Sequence, residues 1–316
     1  MNENTVAILM STYNGARYLK DQLQSIINQS YSNWHLYIRD DGSSDETVEI
    51  IKSYAKKDSR ISILHDTLGN IGSVRSFFYL LEQVDSNFYM FSDQDDYWKQ
   101  SKIQKSILLL KQHNHKRKPI CVYTNLQIVD DNLKGNELLL TKTWQDFPKL
   151  FFTNNLYGCT MLFNNFLKEK IKFDQLNYDN IYVHDWWLAL VCAIFGEIHY
   201  LDEPTILYRQ HYGNQIGATS KNISVLIKRL FNKSKDEKLL QSTILFAEEL
   251  EKSYGKELKN INIQGYVKNY AMISSKSSFF NNLKVILKFP PRSVHLSKEL
   301  FYMYILVFYS RLFFLK

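Results

Sequence analysis

Apolar and polar positions follow two different periods along the first 130 residues. Short apolar runs at Val6–Met10, Trp34–Ile38, Ile61–Leu64, Phe88–Phe91 and Ile120–Tyr123 have the length of buried strands. Between them lie stretches with helical spacing. Tyr18–Ile27 places Leu19, Leu23, Ile26 and Ile27 on one face, and Glu46–Ala55, Ile71–Leu81 behind Gly72, and Lys102–Lys111 follow. Strands separated by helices of this length indicate βαβ units, so the expected fold class is α/β with a mostly parallel sheet flanked by helices. Beyond residue 130 the pattern loosens. The polar, aromatic-rich stretch to Leu156 reads as an insertion or a short hairpin. Cys159–Phe163 reads as a strand, Val183–Ile194 as a helix, and Ile198–Leu201 and Thr205–Arg209 as short strands. The breaker-rich segment Gly213-Asn214-Gln215-Ile216-Gly217 predicts the end of a first domain, 1–217. The remainder, 218–316, reads as a basic helical region with a stop at Pro290–Pro291.

Charge divides the chain at the same place. Residues 1–215 hold 22 Lys and Arg against 25 Asp and Glu, and residues 216–316 hold 17 against 7. An acidic part followed by a basic part suggests two tasks, with nucleic acid or an anionic membrane surface as partners for the second. No RNA- or DNA-binding motif accompanies the charge, so nucleic acid is not the expected partner. The segment Phe301–Leu315 is dense in aromatics but shorter than the roughly 18–20 apolar residues that span a bilayer. With Arg292, Lys298, Arg311 and Lys316 nearby, it fits an interfacial helix, and a core helix or a homodimer contact is the alternative. Cys121, Cys159 and Cys192 are an odd count without metal-ligand spacing, and the N-terminus lacks the features of a secretory signal. The expected location is cytoplasmic, peripheral at the inner membrane face.

In open α/β sheets, ligands bind beyond the carboxyl ends of the strands. Strand one ends in Ser11-Thr12-Tyr13-Asn14-Gly15, strand two in Asp40-Asp41-Gly42-Ser43-Ser44-Asp45, and strand four in Ser92-Asp93-Gln94-Asp95-Asp96. The third turn reads Asn70-Ile71-Gly72-Ser73-Val74-Arg75. Asp93, Asp95 and Asp96 repel one another unless a cation neutralises them, and hard oxygens suit Mg²⁺ or Mn²⁺. Such a cation takes one or two carboxylates and lets substrate phosphates complete its shell. An acidic turn capping the helix at Lys102 is the alternative. Asp41 can accept a hydrogen bond from a pyrimidine N–H, and Tyr13 can stack on a base. Arg75 near a helix start opposes the helix dipole, which a phosphate partner explains. Asp185, beside His184 and two tryptophans, has the chemistry of a general base, and a helix cap is its alternative role. Neither G-x-G-x-x-G nor G-x-x-x-x-G-K-[ST] follows strand one, which argues against dinucleotide-cofactor enzymes and P-loop NTPases.

Taken in order and spacing, these four segments resemble family 2 of the inverting glycosyltransferases, of the GT-A fold, over roughly residues 4–215. Within it the chain is similar to bacterial enzymes of cell-wall, capsular or lipopolysaccharide synthesis, including rhamnosyltransferases. The resemblance implies that Ser11, Tyr13 and Asp41 hold the base and ribose and that Arg75 touches the base or diphosphate. Asp93 and Asp95 match the family's D-x-D, contacting ribose and a Mg²⁺ or Mn²⁺ ion. Asp185 takes the position of the catalytic base, and Gly158, Thr160 and Trp186 fall on the acceptor side. Tyr208-Arg209-Gln210-His211 matches a segment near the diphosphate, where His211 would contact phosphate or metal. The implied activity moves one sugar from a nucleotide-diphosphate donor, dTDP-rhamnose or a UDP-sugar, to a growing polysaccharide or lipid-linked glycan. The Gln-x-x-Arg-Trp motif of processive relatives does not occur. A nucleotidylyltransferase and a catalytically silent sugar-nucleotide-binding scaffold are the competing readings. The former would need a Gly-rich triphosphate loop, which Ser11–Gly15 is not.

Overall fold

The first apolar run becomes β1 (Val6–Thr12), whose Val6, Ile8, Leu9 and Met10 are wholly buried, as parallel strands covered on both faces are. The computed structural model describes residues 4–114, 116–210, 233–274 and 277–308. Within them β1 lies between β2 (Trp34–Asp40) and β4 (Phe88–Ser92), parallel to both, and β3 (Ile61–Ile63) adds to β2. The crossovers are α1 (Ala16–Ile27), α2 (Thr47–Ala55) and α3 (Ser73–Gln83). The inward face of α1 carries the predicted Leu19, Leu23 and Ile26, and that of α3 carries Phe77, Leu80 and Leu81.

The sheet continues through β5 (Tyr97–Trp98), β6 (Ile120–Val129), β7 (Glu137–Leu138), β8 (Met161–Asn164) and β9 (Glu197–Arg209). Among the described residues its order is β3-β2-β1-β4-β8-β6-β9-β5, with β7 paired to β6. In the middle of the sheet β8 runs antiparallel to β4 and β6, β9 runs parallel to β6, and the short β5 and β7 pair antiparallel with β9 and β6. Helices α4 (Lys102–Lys111), α5 (Phe147–Phe152), α6 (Asn165–Lys168) and α7 (His184–Phe195) fall between these strands. This is the α/β, mostly parallel architecture the periodicity predicts, with four local differences. Residues 198–209 form one strand, because the Asp202–Pro204 breakers make a register shift against Thr124–Leu126 and do not end the pairing. Tyr97–Trp98 forms an edge strand on Leu207 and Ile206. Gly158–Thr160 is a 3₁₀ turn ahead of β8. The loosely patterned stretch holds both a hairpin partner, β7, and a helix, α5, capped by Asp146 accepting from the Lys149 N–H and carrying a Pro in its first turn.

The described residues fall into two compact units, the first drawn from 4–143, 156–173 and 183–210, the second from 144–155, 174–182 and 233–308. Two short segments that precede residue 217 in the chain thus cluster with the C-terminal helices α8 (Lys233–Tyr254), α9 (Ile261–Ala271), α10 (Phe279–Lys288) and α11 (Leu296–Phe308). In the second unit Phe151 and Phe152 of α5 meet Tyr266 and Tyr270 of α9 edge to face, and Glu249 of α8 accepts from Asn177 and Asn180. One face of α11 is core, through Tyr302, Ile305 and Leu306, while Leu296, Leu300, Tyr304 and Phe308 are exposed at four-residue intervals. Phe279 of α10 extends that stripe by packing on Phe308 at 5.3 Å. No described helix is long and apolar enough to cross a membrane.

Candidate active site

Strand β2 ends in two aspartates that go to different places. Asp40 stays in its own turn, where Oδ2 accepts the Ser43 N–H at 2.8 Å and Oδ1 accepts the Thr12 hydroxyl at 2.8 Å. Asp41, only 3 % exposed, turns under the start of α3 and accepts the N–H groups of Ile71 and Gly72, each at 2.8 Å. Its Oδ1 also takes Arg39 Nη1 at 2.5 Å. The Arg39 guanidinium forks to Asp66 through Nε at 2.8 Å and Nη2 at 3.2 Å, and donates to the Gly69 carbonyl at 2.8 Å. Burial works against this charge, and the hydrogen bonds to Asp41 and Asp66 more than offset it. Asp41 therefore shapes the third turn, and Arg75 stands exposed one helical step further on. In the sequence Arg39 heads the Arg39-Asp40-Asp41-Gly42 motif, which assigns it no role of its own.

The turn after β1 presents Tyr13, 49 % exposed, with Ser11 half-buried beside it. Gln94, the residue between Asp93 and Asp95, clamps this turn from both sides: its Oε1 accepts the Tyr13 N–H at 2.9 Å and its Nε2 donates to the Tyr13 carbonyl at 3.0 Å. The fit needs glycine at position 15, where a Cβ would lie 2.2 Å from Gln94 Oε1. The same backbone donates from Asn14 to Ser43 Oγ at 2.9 Å, from Gly15 to Thr47 Oγ1 at 2.8 Å and from Ala16 to Asp45 Oδ2 at 3.1 Å. Three turns distant in sequence are thereby fastened at one sheet edge.

Beyond β4 the acidic motif enters the protein. Asp93 and Asp95 are partly exposed, whereas Asp96 is buried. Asp96 Oδ1 accepts the Arg209 N–H at 3.2 Å, and its Oδ2 has no hydrogen-bond partner among the described residues. Burial, reinforced by the charges of Asp95 and Asp185, pushes Asp93 up to about 7, and burial with its two neighbours raises Asp96 well above the carboxylate range. Asp93, Asp96 and Cys159 bring ligand-type atoms within 4.8 Å of one another. The Cys159 thiol is held protonated by burial, which leaves an all-oxygen set that fits a hard divalent cation. The carboxylates of that cluster are those of Asp93 and Asp96, and Asp95, the other expected metal ligand, is not among its members. Beneath them Lys102 is buried, its Nζ 4.7 Å from the Trp98 ring centre. His211 lies outside the described residues.

Asp185 opens α7 and reaches back to the 3₁₀ turn before β8, where its Oδ2 accepts the Gly158 N–H at 2.7 Å. His184 beside it is stacked on Phe77, with centroids 4.1 Å apart, and lies edge-on to Phe91 at 4.7 Å. Burial pushes this imidazole down to about 3, so it is a neutral packing ring and a poor proton acceptor. Of the three residues expected on the acceptor side, only Gly158 faces Asp185. Thr160 is buried and donates to the Tyr157 carbonyl at 2.7 Å. Trp186 is 1 % exposed and presents no ring face to a sugar, because the residue after Asp185 points about 100° further round the helix, into the core.

The sequence model of Glycosyl transferase family 2 matches residues 7–164. The dTDP-rhamnosyl transferase RfbG of Shigella flexneri is 32 % identical over 228 residues, covering 69 % of this chain and 76 % of that one. An uncharacterized glycosyltransferase of Haemophilus influenzae is 30 % identical over 192 residues, 61 % of this chain and 73 % of its own. Among solved structures, residues 1–349 of S. aureus TarS superpose with a TM-score of 0.54 at 16 % identity, covering 96 % of this chain and 90 % of that one. That protein's complex with UDP-GlcNAc gives 0.51 at 14 % identity over the same shares.

Proposed function

This chain belongs to glycosyltransferase family 2, with a GT-A fold, and from that premise we propose that it is an inverting, metal-dependent transferase. It moves one sugar from a nucleotide-diphosphate donor to a growing cell-surface polysaccharide or lipid-linked glycan. The observation that carries the reading is the placement of Asp185, fixed by the Gly158 N–H beside the acidic motif whose Asp93 feels its charge. In this reading Asp185 takes the proton of the acceptor hydroxyl as that oxygen bonds to the anomeric carbon from the face opposite the leaving group. The bond from that carbon to the diphosphate oxygen breaks, and the nucleoside diphosphate departs. Asp93 and Asp95 would hold a Mg²⁺ or Mn²⁺ ion, which would supply electrostatic stabilisation of the diphosphate charge. Tyr13 stacks on the base, Ser11 and Asp41 hold the base and ribose, and Arg75 meets the diphosphate, with His211 assigned to the same group.

The catalytic work thus falls to the first unit. The second unit, with its exposed stripe on α11 and the neighbouring Lys284, Lys288, Arg292 and Lys298, rests on the inner face of the cytoplasmic membrane. The likeness to RfbG makes dTDP-rhamnose the first donor to test, and UDP-linked sugars form the second arm. The decisive assay is nucleoside-diphosphate release across a panel of sugar nucleotides with membrane extract as acceptor, with and without chelator. Release from one donor that needs the divalent cation is expected. Release from none would leave a silent binding protein, and full activity in excess chelator would remove the metal from the mechanism.

A further inference from the structure

At the sheet edge opposite the acidic motif, three ligating side chains of the first unit converge. Because β4, β6 and β9 point the same way, the amino ends of β6 and β9 lie away from the carboxyl ends that carry Asp41 and Asp93. Glu197 and His199 stand two residues apart at the start of β9 and so project from one face of the strand. His113 follows the last turn of α4, its N–H donating to the Leu110 carbonyl at 3.2 Å. Its imidazole stacks on that of His199, with centroids 3.3 Å apart and planes 7° from parallel. His199 Nε2 lies 3.2 Å from Glu197 Oε2, while Glu197 Oε1 takes the Lys118 ammonium. One ligand atom from each of His113, Glu197 and His199 lies within 4.8 Å of the other two, and all three side chains are partly exposed.

The backbone beneath the cluster is tightly set. Glu197 N–H donates to the Pro119 carbonyl at 3.1 Å, and a Cβ on Gly196 would meet that carbonyl oxygen at 1.9 Å. Strand pairing of Ile120 with Glu197 then fixes Lys118 next to the carboxylate it orients.

We propose that His113, Glu197 and His199 form a site for a borderline divalent transition-metal ion, Zn²⁺ in the first instance, with water completing a tetrahedral shell. Two imidazoles and a carboxylate are ligands that Zn²⁺ takes. This donor set favours Zn²⁺, Ni²⁺ and Cu²⁺ over Mg²⁺, while the oxygen-only acidic motif has the reverse preference. The two ends of the sheet therefore sort metals by chemistry. Each imidazole lone pair lies in its ring plane, so the stacked rings must fan apart to share one ion, a rotation that His113, past the end of α4, would have to supply. Lys118 keeps Glu197 ionised and aimed, as supporting residues around metal ligands do. The bound ion would tie the end of α4 to β9.

The test uses the chelator-stripped full chain titrated with Zn²⁺ against a chromophoric competitor, and with Co²⁺ followed by visible absorption. The parent and Asp95→Asn are expected to bind one Zn²⁺ at this site with equal affinity. His113→Gln and His199→Gln should each weaken binding by more than the roughly 10–100-fold that loss of a supporting residue costs. Zn²⁺ affinity unchanged in both histidine variants, or lost in Asp95→Asn instead, would overturn the site. So would a folded parent chain that gives no tetrahedral Co²⁺ bands, whatever the variants do.

Discussion

Gly158 donates its backbone N–H to Asp185 Oδ2 at 2.7 Å, and a methyl group on Gly158 would stand 2.9 Å from His184 Nε2 and 3.4 Å from Asp185 Cβ. His184 has little freedom to yield, since Phe77 stacks on it and Phe91 closes its edge. Position 158 thus sets where the carboxylate sits.

Asp185→Asn keeps the shape of the side chain but removes the base. Turnover should drop by on the order of 10²–10⁴, while sugar-donor affinity measured by calorimetry stays at the parent value. Gly158→Ala should lower turnover in the same direction, by displacing Asp185, with donor affinity again intact. Parent-like turnover of Asp185→Asn would place the base elsewhere.

Asp93 gives the chain a distinctive pH dependence. An aspartate in the unfolded chain titrates near about 4, whereas burial and then the Asp95 and Asp185 charges lift Asp93 to about 7. Between those values the folded chain holds a proton that the unfolded chain has released. Asp93 therefore costs stability progressively as pH rises from about 4 to about 7, and the cost is constant above that. In chelator, the melting temperature of the parent minus that of Asp93→Asn should decline across this window. Saturating Mg²⁺ should flatten the decline. A difference that ignores both pH and Mg²⁺ would take Asp93 out of the acidic cluster.

Arg39→Met leaves Asp41 and Asp66 without their cation in a buried site. Removing one member of such a pair costs about 3–5 kcal/mol, which urea denaturation would read as a lower midpoint at unchanged slope. Asp41→Asn should be milder in stability, yet should weaken sugar-donor binding, because the start of α3 hangs on that carboxylate. A stable Arg39→Met chain with parent-like donor affinity would separate the network from the donor turn.

How far these features could be read beforehand depends on their range in sequence. Alternation over residues 6–111 is local, and each strand and helix carries its own periodicity, so β1 to α4 were legible apart from the two-residue β5. Asp202–Pro204 looks like a stop because Pro lacks a ladder donor, and only the pairing with β6 reveals a bulge. Position by position, the motif at Asp185 was legible, but the direction of its neighbour Trp186 was not, since that depends on which face of α7 meets the core. The Arg39 network draws on Asp66 and Gly69 from another loop, and no spacing rule links a strand residue to a loop that folds over it.

The exposed stripe on α11 is testable apart from catalysis. Leu296→Ser and Leu300→Ser alter side chains 68 % and 57 % exposed, so folding should be unaffected. Cosedimentation with anionic vesicles should fall in the double variant, while donor hydrolysis in solution persists. Unchanged vesicle binding would release the stripe from that role, and a concentration-dependent doubling of mass that the variant abolishes would assign it to a dimer.

The cross-links among the turns at the ligand edge also act in time. With the backbone of Tyr13, Asn14, Gly15 and Ala16 held by side chains from Gln94, Ser43, Thr47 and Asp45, none of these loops can fray while the others stay closed. Their amides should exchange with deuterated solvent as one block, with a shared opening free energy close to that of the sheet and far from that of surface loops. A sugar nucleotide then meets loops that are already ordered, and little chain entropy remains to be lost on binding.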